Sequence, residues 1–191
     1  MAGDESLGTY FDALYQITLR ISSSLDLDDV LNYVSEETAR AVQCKAAAVR
    51  LLDESGKFLE MRAVFGLSES YLNKGPVELS RSPVDKQILE GKSSQLADVS
   101  SDTGFQYQQE AGREGIVSVA SMPLIARGRP IGVLRVYSRT RREFHENEMH
   151  FLVAVADLAA LSIENARLYD QMRRNYEDTM NTLWGDDRPT G

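Results

Sequence analysis

The sequence predicts an α+β domain, on three observations. Apolar residues recur at helical spacing as far as Ala41, the period drops to two in short runs through the middle, and Glu146 to Trp184 contains neither proline nor glycine. Helices, then strands, then one long helix is the order of a sheet with its helices segregated to one side.

The elements follow in turn. Leu7, Phe11, Leu14, Thr18, Ile21 and Leu25 step by four and three, the spacing of a helical seam, and Ser22 to Ser24 interrupt it. A second helix starts at Asp26, an N-cap type, with Asp28 and Asp29 favourably placed in its first turn and Leu27, Val30, Leu31, Val34 and Ala41 on its apolar face. From Lys45 to Asp53 the period is two, and Asp53-Glu54-Ser55-Gly56 turns that run into a hairpin with Phe58 to Phe65. Gly66 to Pro83 reads as irregular with a short helix near Ser68 to Asn73. Pro83 to Glu90 reads as a helix opened by proline and stopped by Gly91, and Ser94 to Ala97 as a brief strand. The polar stretch Asp98 to Gly115 is long for a connector and is a candidate functional loop. Val117 to Ala126 and Pro130 to Ser138 form a second hairpin, in which Pro123 marks an edge or bulge. The last helix, at 1.5 Å per residue, is on the order of 58 Å long against a domain radius of about 16 Å, so its far end projects beyond the core. One stripe on it, Met149, Leu152, Ala156, Ala159, Ile163 and Ala166, stops where the core stops. Another, through Phe151, Val155, Leu158, Tyr169, Met172, Tyr176, Met180 and Leu183, runs on, which a second copy of the helix explains.

Composition narrows the function. With 191 residues, 42% of them hydrophobic, the chain can bury one sizeable core. A net charge of -8 opposes attraction to phosphate backbones, so nucleic acid is not expected as a partner. Six arginines without an acid between Arg127 and Arg142 read as a solvated basic face. No run of apolar residues is long enough to cross a bilayer and no leader precedes the first helix, so the expected setting is cytoplasmic, without membrane contact. The lone Cys44 leaves no internal disulfide and no cysteine metal cluster, and reads as a structural thiol. His145 and His150, five apart, do not suit zinc, and His145 with Glu148 fits a helix cap. Asp85 with Asp98, or Glu110 with Glu114, make no convincing acid-base pair. No metal or cofactor is expected.

Six segments in this order, "LDLDDVLNYV", "AAAVRLLDESG", "FGLSESYLNKGP", "ILEGKSSQLADV", "EGIVSVASMPLIARGRPIGVLRVYS" and "SIENARLY", resemble a GAF domain, a sensory fold related to PAS, over about Leu25 to Tyr169. The resemblance implies an antiparallel sheet of five or six strands, terminal helices on one face and a loop-enclosed small-molecule pocket on the other. The expected division is an N-terminal dimerisation helix over 1–24, the domain over 25–170, a signalling extension over 171–184 and a disordered tail over 185–191. Relatives resembling free methionine sulfoxide reductase use several cysteines, and bilin-binding ones attach through a cysteine in the region of Asp98 to Gly115; this chain offers neither. The Asn-Lys-X-Phe-Asp-Glu signature of cyclic-nucleotide GAF domains is not found, and "NKGP" at Asn73 to Pro76 reads as a turn.

From the pocket's place in the family, its expected walls are Phe65, Tyr71, Leu72, Phe105, Tyr107, Ser118, Ala120 and Met122, aromatic with a few polar groups. Arg50, Arg62 and Arg135 lie within strands. Parity puts Arg50 and Arg135 on one side, where a guanidinium suits a carboxylate or phosphate. The expected function is a non-catalytic, ligand-binding sensory module, dimeric through its terminal helices and coupled to an output domain or partner. A dimerisation module without ligand, and an enzyme, stand as alternatives.

Overall fold

The computed structural model of the protein describes residues 2–184; the expected tail over 185–191 and the side chain of Leu183 lie outside the described residues. Two helices, α1 (Ala2–Ser23) and α2 (Leu27–Ala41), precede the sheet. The Asp26 carboxylate accepts the N–H groups of Asp28 and Asp29 at 2.9 and 3.1 Å, a cap that stabilises the start of α2 by about 1 kcal/mol. Strands β1 (Ala46–Leu52) and β2 (Phe58–Phe65) form the first hairpin. Its turn is closed by Asp53 Oδ1, which accepts from the backbone of Lys57 and Phe58 at 2.9 and 2.8 Å.

From Gly66 the chain leaves the sheet plane through α3 (Glu69–Leu72), reaches one edge as β3 (Val77–Glu78), and crosses through a 3-10 turn and α4 (Pro83–Leu89) to the other edge, β4 (Ser94–Leu96). A second 3-10 turn and α5 (Gln108–Glu114) lead to the hairpin β5 (Ser118–Ala126) and β6 (Arg129–Ser138), which returns to the centre. The sheet has six strands in the order β3-β2-β1-β6-β5-β4, with every neighbouring pair antiparallel. Strand β3 hides in a stretch read as irregular, because two residues are too few for any periodicity. Pro123 lies past the reach of β4, which pairs only with Val119 to Ser121, so beside it that edge of β5 has no strand partner.

Strand parity gives the sheet two faces. Ala47, Val49, Ala63, Ala120, Met122, Leu124, Leu134 and Val136 face the helices and bury Val30, Leu31 and Val34 of α2 and Leu152, Val155, Ala159 and Ile163 of α6 (Glu146–Trp184). Ala48, Val119 and Tyr137 face the arching segment that carries α3, α4 and α5. Helix α1 turns Ala13 and Ile17 into the helix-side core, with Tyr10 stacked on Phe151 at 4.9 Å. The seam expected on α1 therefore divides, Leu14 and Ile21 packing inward while Leu7, Phe11 and Leu25 remain exposed.

At the start of α6 the His145 N–H donates to Glu148 Oε2 at 2.8 Å, the returning half of a capping box, and Arg142 pairs with the same carboxylate. Past Ala166 the domain no longer covers the helix, and Tyr169, Met172 and Tyr176 are 61 to 70% exposed. Among the described residues, no helix is long and apolar enough to cross a membrane.

Candidate ligand pocket

Between the sheet and the arching segment lies a small hollow lined by Arg50, Tyr71, Lys74, Val77, Asp85, Phe105, Gln106, Tyr107 and Arg135. Each side chain arrives for a local reason. Arg50 on β1 and Arg135 on β6 share the loop-side face, since Arg50 pairs with Val133 and Arg135 with Ala48. Tyr71 sits in α3, capped by the Ser68 hydroxyl, and Lys74 follows just beyond the helix. Asp85 comes from the first turn of α4, where proline at the first position pre-sets the helix.

Arg135 is held by two side-chain hydrogen bonds. Its Nε donates to Ser121 Oγ at 2.7 Å and its Nη2 to Asp85 Oδ1 at 2.6 Å, while the other Asp85 oxygen accepts the Ser82 hydroxyl at 2.6 Å. Both partners are about 2% exposed, so the pair is held in a dry, polar clamp. Arg50 is as deeply buried but poorly served: its one hydrogen bond is Nη2 to the Tyr137 hydroxyl at 3.5 Å, and Nε has no partner. Lys74 Nζ also has no hydrogen-bond partner and lies 4.6 and 4.5 Å from the ring centres of Tyr71 and Tyr107. Burial, reinforced by Arg50 and Arg135 and only partly offset by Glu110 and Asp85, lowers the Lys74 pKa to about 7.

The free space at the centre is about 10 Å³, room for about one water molecule. The protein's own side chains fill the rest. Outside, a cleft of about 280 Å³ between α3 and α5 shares Tyr71 and Lys74 with the hollow. Glu114 of α5 anchors one end of that cleft, pairing with Lys45 and accepting the Ser68 N–H at 3.1 Å.

Of the expected walls, the structure brings together Arg50, Tyr71, Phe105, Tyr107 and Arg135. Phe65, Ala120 and Met122 are corrected: their parity turns them to the helix-side core, where Ala120 pairs with Val136 and Met122 with Leu134. Leu72 is half-buried on α3 and does not line the hollow. Ser118 donates instead to the Thr140 carbonyl at 2.9 Å, at the far end of β6. Arg62 leaves the arginine group because the β1–β2 register shifts between Val49 and Arg50 and passes over it, and it pairs with Asp28 of α2 at 2.7 Å.

Lys74 and Asp85 were not singled out as pocket residues. For Lys74 the signal was its position three residues after Tyr71 and next to Gly75-Pro76, masked by its reading as a turn. Cys44 lies outside the hollow, and burial pushes its thiol up to about 12. His150 is exposed on α6, 4.0 Å from Glu146.

A family model described as GAF domain matches residues 24–164. The chain belongs to the GAF domain family. Solved structures share the fold: the GAF domain of a phosphoenolpyruvate-protein phosphotransferase from Coxiella burnetii is 21% identical with a TM-score of 0.77, covering 86% of this chain and 98% of that one. The corresponding domain from Acinetobacter is 25% identical with a TM-score of 0.70, covering 83% and 94%. A free methionine-R-sulfoxide reductase from Neisseria meningitidis, in complex with its substrate, is 20% identical with a TM-score of 0.69, covering 84% and 91%. No curated protein sequence matches the chain.

Proposed function

We propose that this GAF domain is a non-catalytic regulatory module that binds a small molecule in the hollow between sheet and arching segment, works as a homodimer, and passes the bound state along α6 to an output domain or partner protein. A cytoplasmic setting is part of the proposal. The observation that carries it is the hollow itself: two strongly polar donors, Arg50 Nε and Lys74 Nζ, are buried there without partners, an arrangement that costs stability unless something else is bound. Helix α6 supplies the route outward. It contributes Leu152, Ala156 and Ile163 to the core, and the same helix then presents Tyr169, Met172 and Tyr176 uncovered. A ligand shifts that helix only as far as it binds two arrangements differently, typically about 1–3 kcal/mol.

A reductase of the kind found in Neisseria meningitidis is not favoured. Cys44, the chain's single cysteine, has its thiol raised to about 12 and stands away from the hollow. A dimerisation module with a closed pocket is the second reading, and the free space of about 10 Å³ favours it. Native mass spectrometry of the purified chain separates them. A dimer carrying a small adduct supports the sensor; a dimer with no adduct, from cells and after incubation with metabolite mixtures, supports the closed module; a monomer at tens of micromolar overturns the dimeric half of the proposal.

A further inference from the structure

We propose that the hollow receives a compact oxyanion, a carboxylate or a phosphate, taken by Arg50 and Lys74 beside the clamped Arg135–Asp85 pair; this deepens the sensory reading and rests on it. Charge is the first ground. Three basic side chains, Arg50, Lys74 and Arg135, line the hollow, and Asp85 is the one carboxylate among its lining residues. That carboxylate is spent, one oxygen on Arg135 and the other on Ser82. A surplus of positive charge in a water-poor site is what an anionic ligand would neutralise.

Donor geometry is the second ground. Among the described residues, three buried side-chain nitrogen or oxygen atoms lack a hydrogen-bond partner, and two of them, Arg50 Nε and Lys74 Nζ, belong to this hollow. Both only donate. A guanidinium edge matches two oxygens of a carboxylate or phosphate, and an ammonium adds a point charge. The Tyr107 hydroxyl already donates to the Pro76 carbonyl at 2.8 Å, and the Gln106 side-chain oxygen accepts the Glu78 N–H at 2.9 Å. The site therefore favours a ligand rich in acceptors over a cation.

Access is the third. With about 10 Å³ free, an anion enters only if a wall moves, and Lys74 with Tyr71 is the wall shared with the outer cleft of about 280 Å³. The segment that carries them is bounded by Gly66 and Gly75, with φ of 78° and 92°. The Gly66 end is pinned, since a Cβ there would stand 2.2 Å from the Lys45 carbonyl and Lys45 Nζ donates to the Gly66 carbonyl at 2.9 Å. The Gly75 end is open, its nearest neighbour being the Tyr107 hydroxyl at 3.9 Å from that position. Lys74, next to the open end, is the side chain that swings off the two tyrosine rings and closes again over the anion.

Protonation couples to this. In the free protein Lys74 faces Arg50 of β1, Arg135 of β6, Asp85 of α4 and Glu110 of α5, together with the rings of Tyr71 and Tyr107. An anion raises its proton affinity, so binding takes up a proton and strengthens as the pH falls toward 7.

The test is titration calorimetry with thermal unfolding of the full chain, using sodium phosphate and sodium malonate against sodium chloride at equal ionic strength. Saturable binding of phosphate or malonate is expected, with a Tm rise of about 5 °C near saturation; the preferred probe tells a phosphate source from a carboxylate one. Arg50→Met and Lys74→Met should each weaken binding at least tenfold, the latter serving if the former does not fold. Malonate stays fully ionised from pH 7 to 8.5, and its affinity should fall severalfold over that range in the wild type but not in Lys74→Arg. Responses no larger than with chloride, or affinity unchanged in both methionine variants, overturn the proposal. If phosphate and malonate are silent while native mass spectrometry retains a neutral adduct, the oxyanion class fails and the sensor stands. If an oxyanion binds but spin labels at position 176, on a Cys44→Ser background, keep their distances and mobility, the site stands and transmission along α6 fails.

Discussion

Replacing Lys74 by methionine removes a buried positive charge while keeping an unbranched side chain of similar length against the rings of Tyr71 and Tyr107. Burial, with help from Arg50 and Arg135, lowers the lysine to about 7, from an ordinary value of about 10.4. The sign follows from proton counting. Between these two values the unfolded chain binds more protons than the native one, so wild-type stability rises with pH across that window. Below about pH 7 both states are protonated and the full cost of the buried charge is present. The depression would amount to about 4–5 kcal/mol in a dry site. Lys74 is partly exposed and its charge rests on two aromatic rings, so the effective figure is on the order of 1–2 kcal/mol. Lys74→Met should therefore be more stable than wild type by about that amount at pH 6, with the advantage at least halved at pH 9. Urea unfolding followed by circular dichroism at the two pH values, with equal m-values, measures it. A variant no more stable than wild type at pH 6, or an advantage unchanged at pH 9, would refute the burial of this charge.

Arg135→Met strands the Asp85 carboxylate without its ion partner, so a loss of about 3–5 kcal/mol is expected, most of it regained when Asp85→Leu is added; a double-mutant cycle by chemical denaturation checks the coupling. Met122→Ala empties space under the helices and should cost about 2–5 kcal/mol in the same assay while leaving any anion-dependent rise in Tm intact, because Met122 faces away from the hollow.

Legibility from sequence depended on how local each feature is. Helix α2 was readable from Asp26 and its apolar face, and the two hairpins from period-two runs about Gly56 and Gly128, because periodicity, caps and turns are decided within a few residues. The shared side of Arg50 and Arg135 was readable too, from their parity opposite Val49 and Leu51 in one strand and Leu134 and Val136 in the other. Ala120 and Met122 were not: alternation separates a strand's residues into two sets but does not say which set meets helices and which meets the arching segment.

By itself the sequence determined the order of elements, the reach of α6 beyond the core, the absence of a second thiol, and the presence of arginines inside strands, since each depends on spacing or on counting along the chain. Tertiary structure alone decided that Arg62 is carried to Asp28 by a register shift, that Asp85 clamps Arg135 across an intervening sequence of 49 residues, and that Lys74 closes the hollow between two tyrosine rings. The physical reason is common to all three. A charged side chain is placed by its partners and, where it is buried as Arg135 is, by the low-dielectric space around it, and those are contributed by segments distant in the chain, so no local pattern of residues records where it will come to rest.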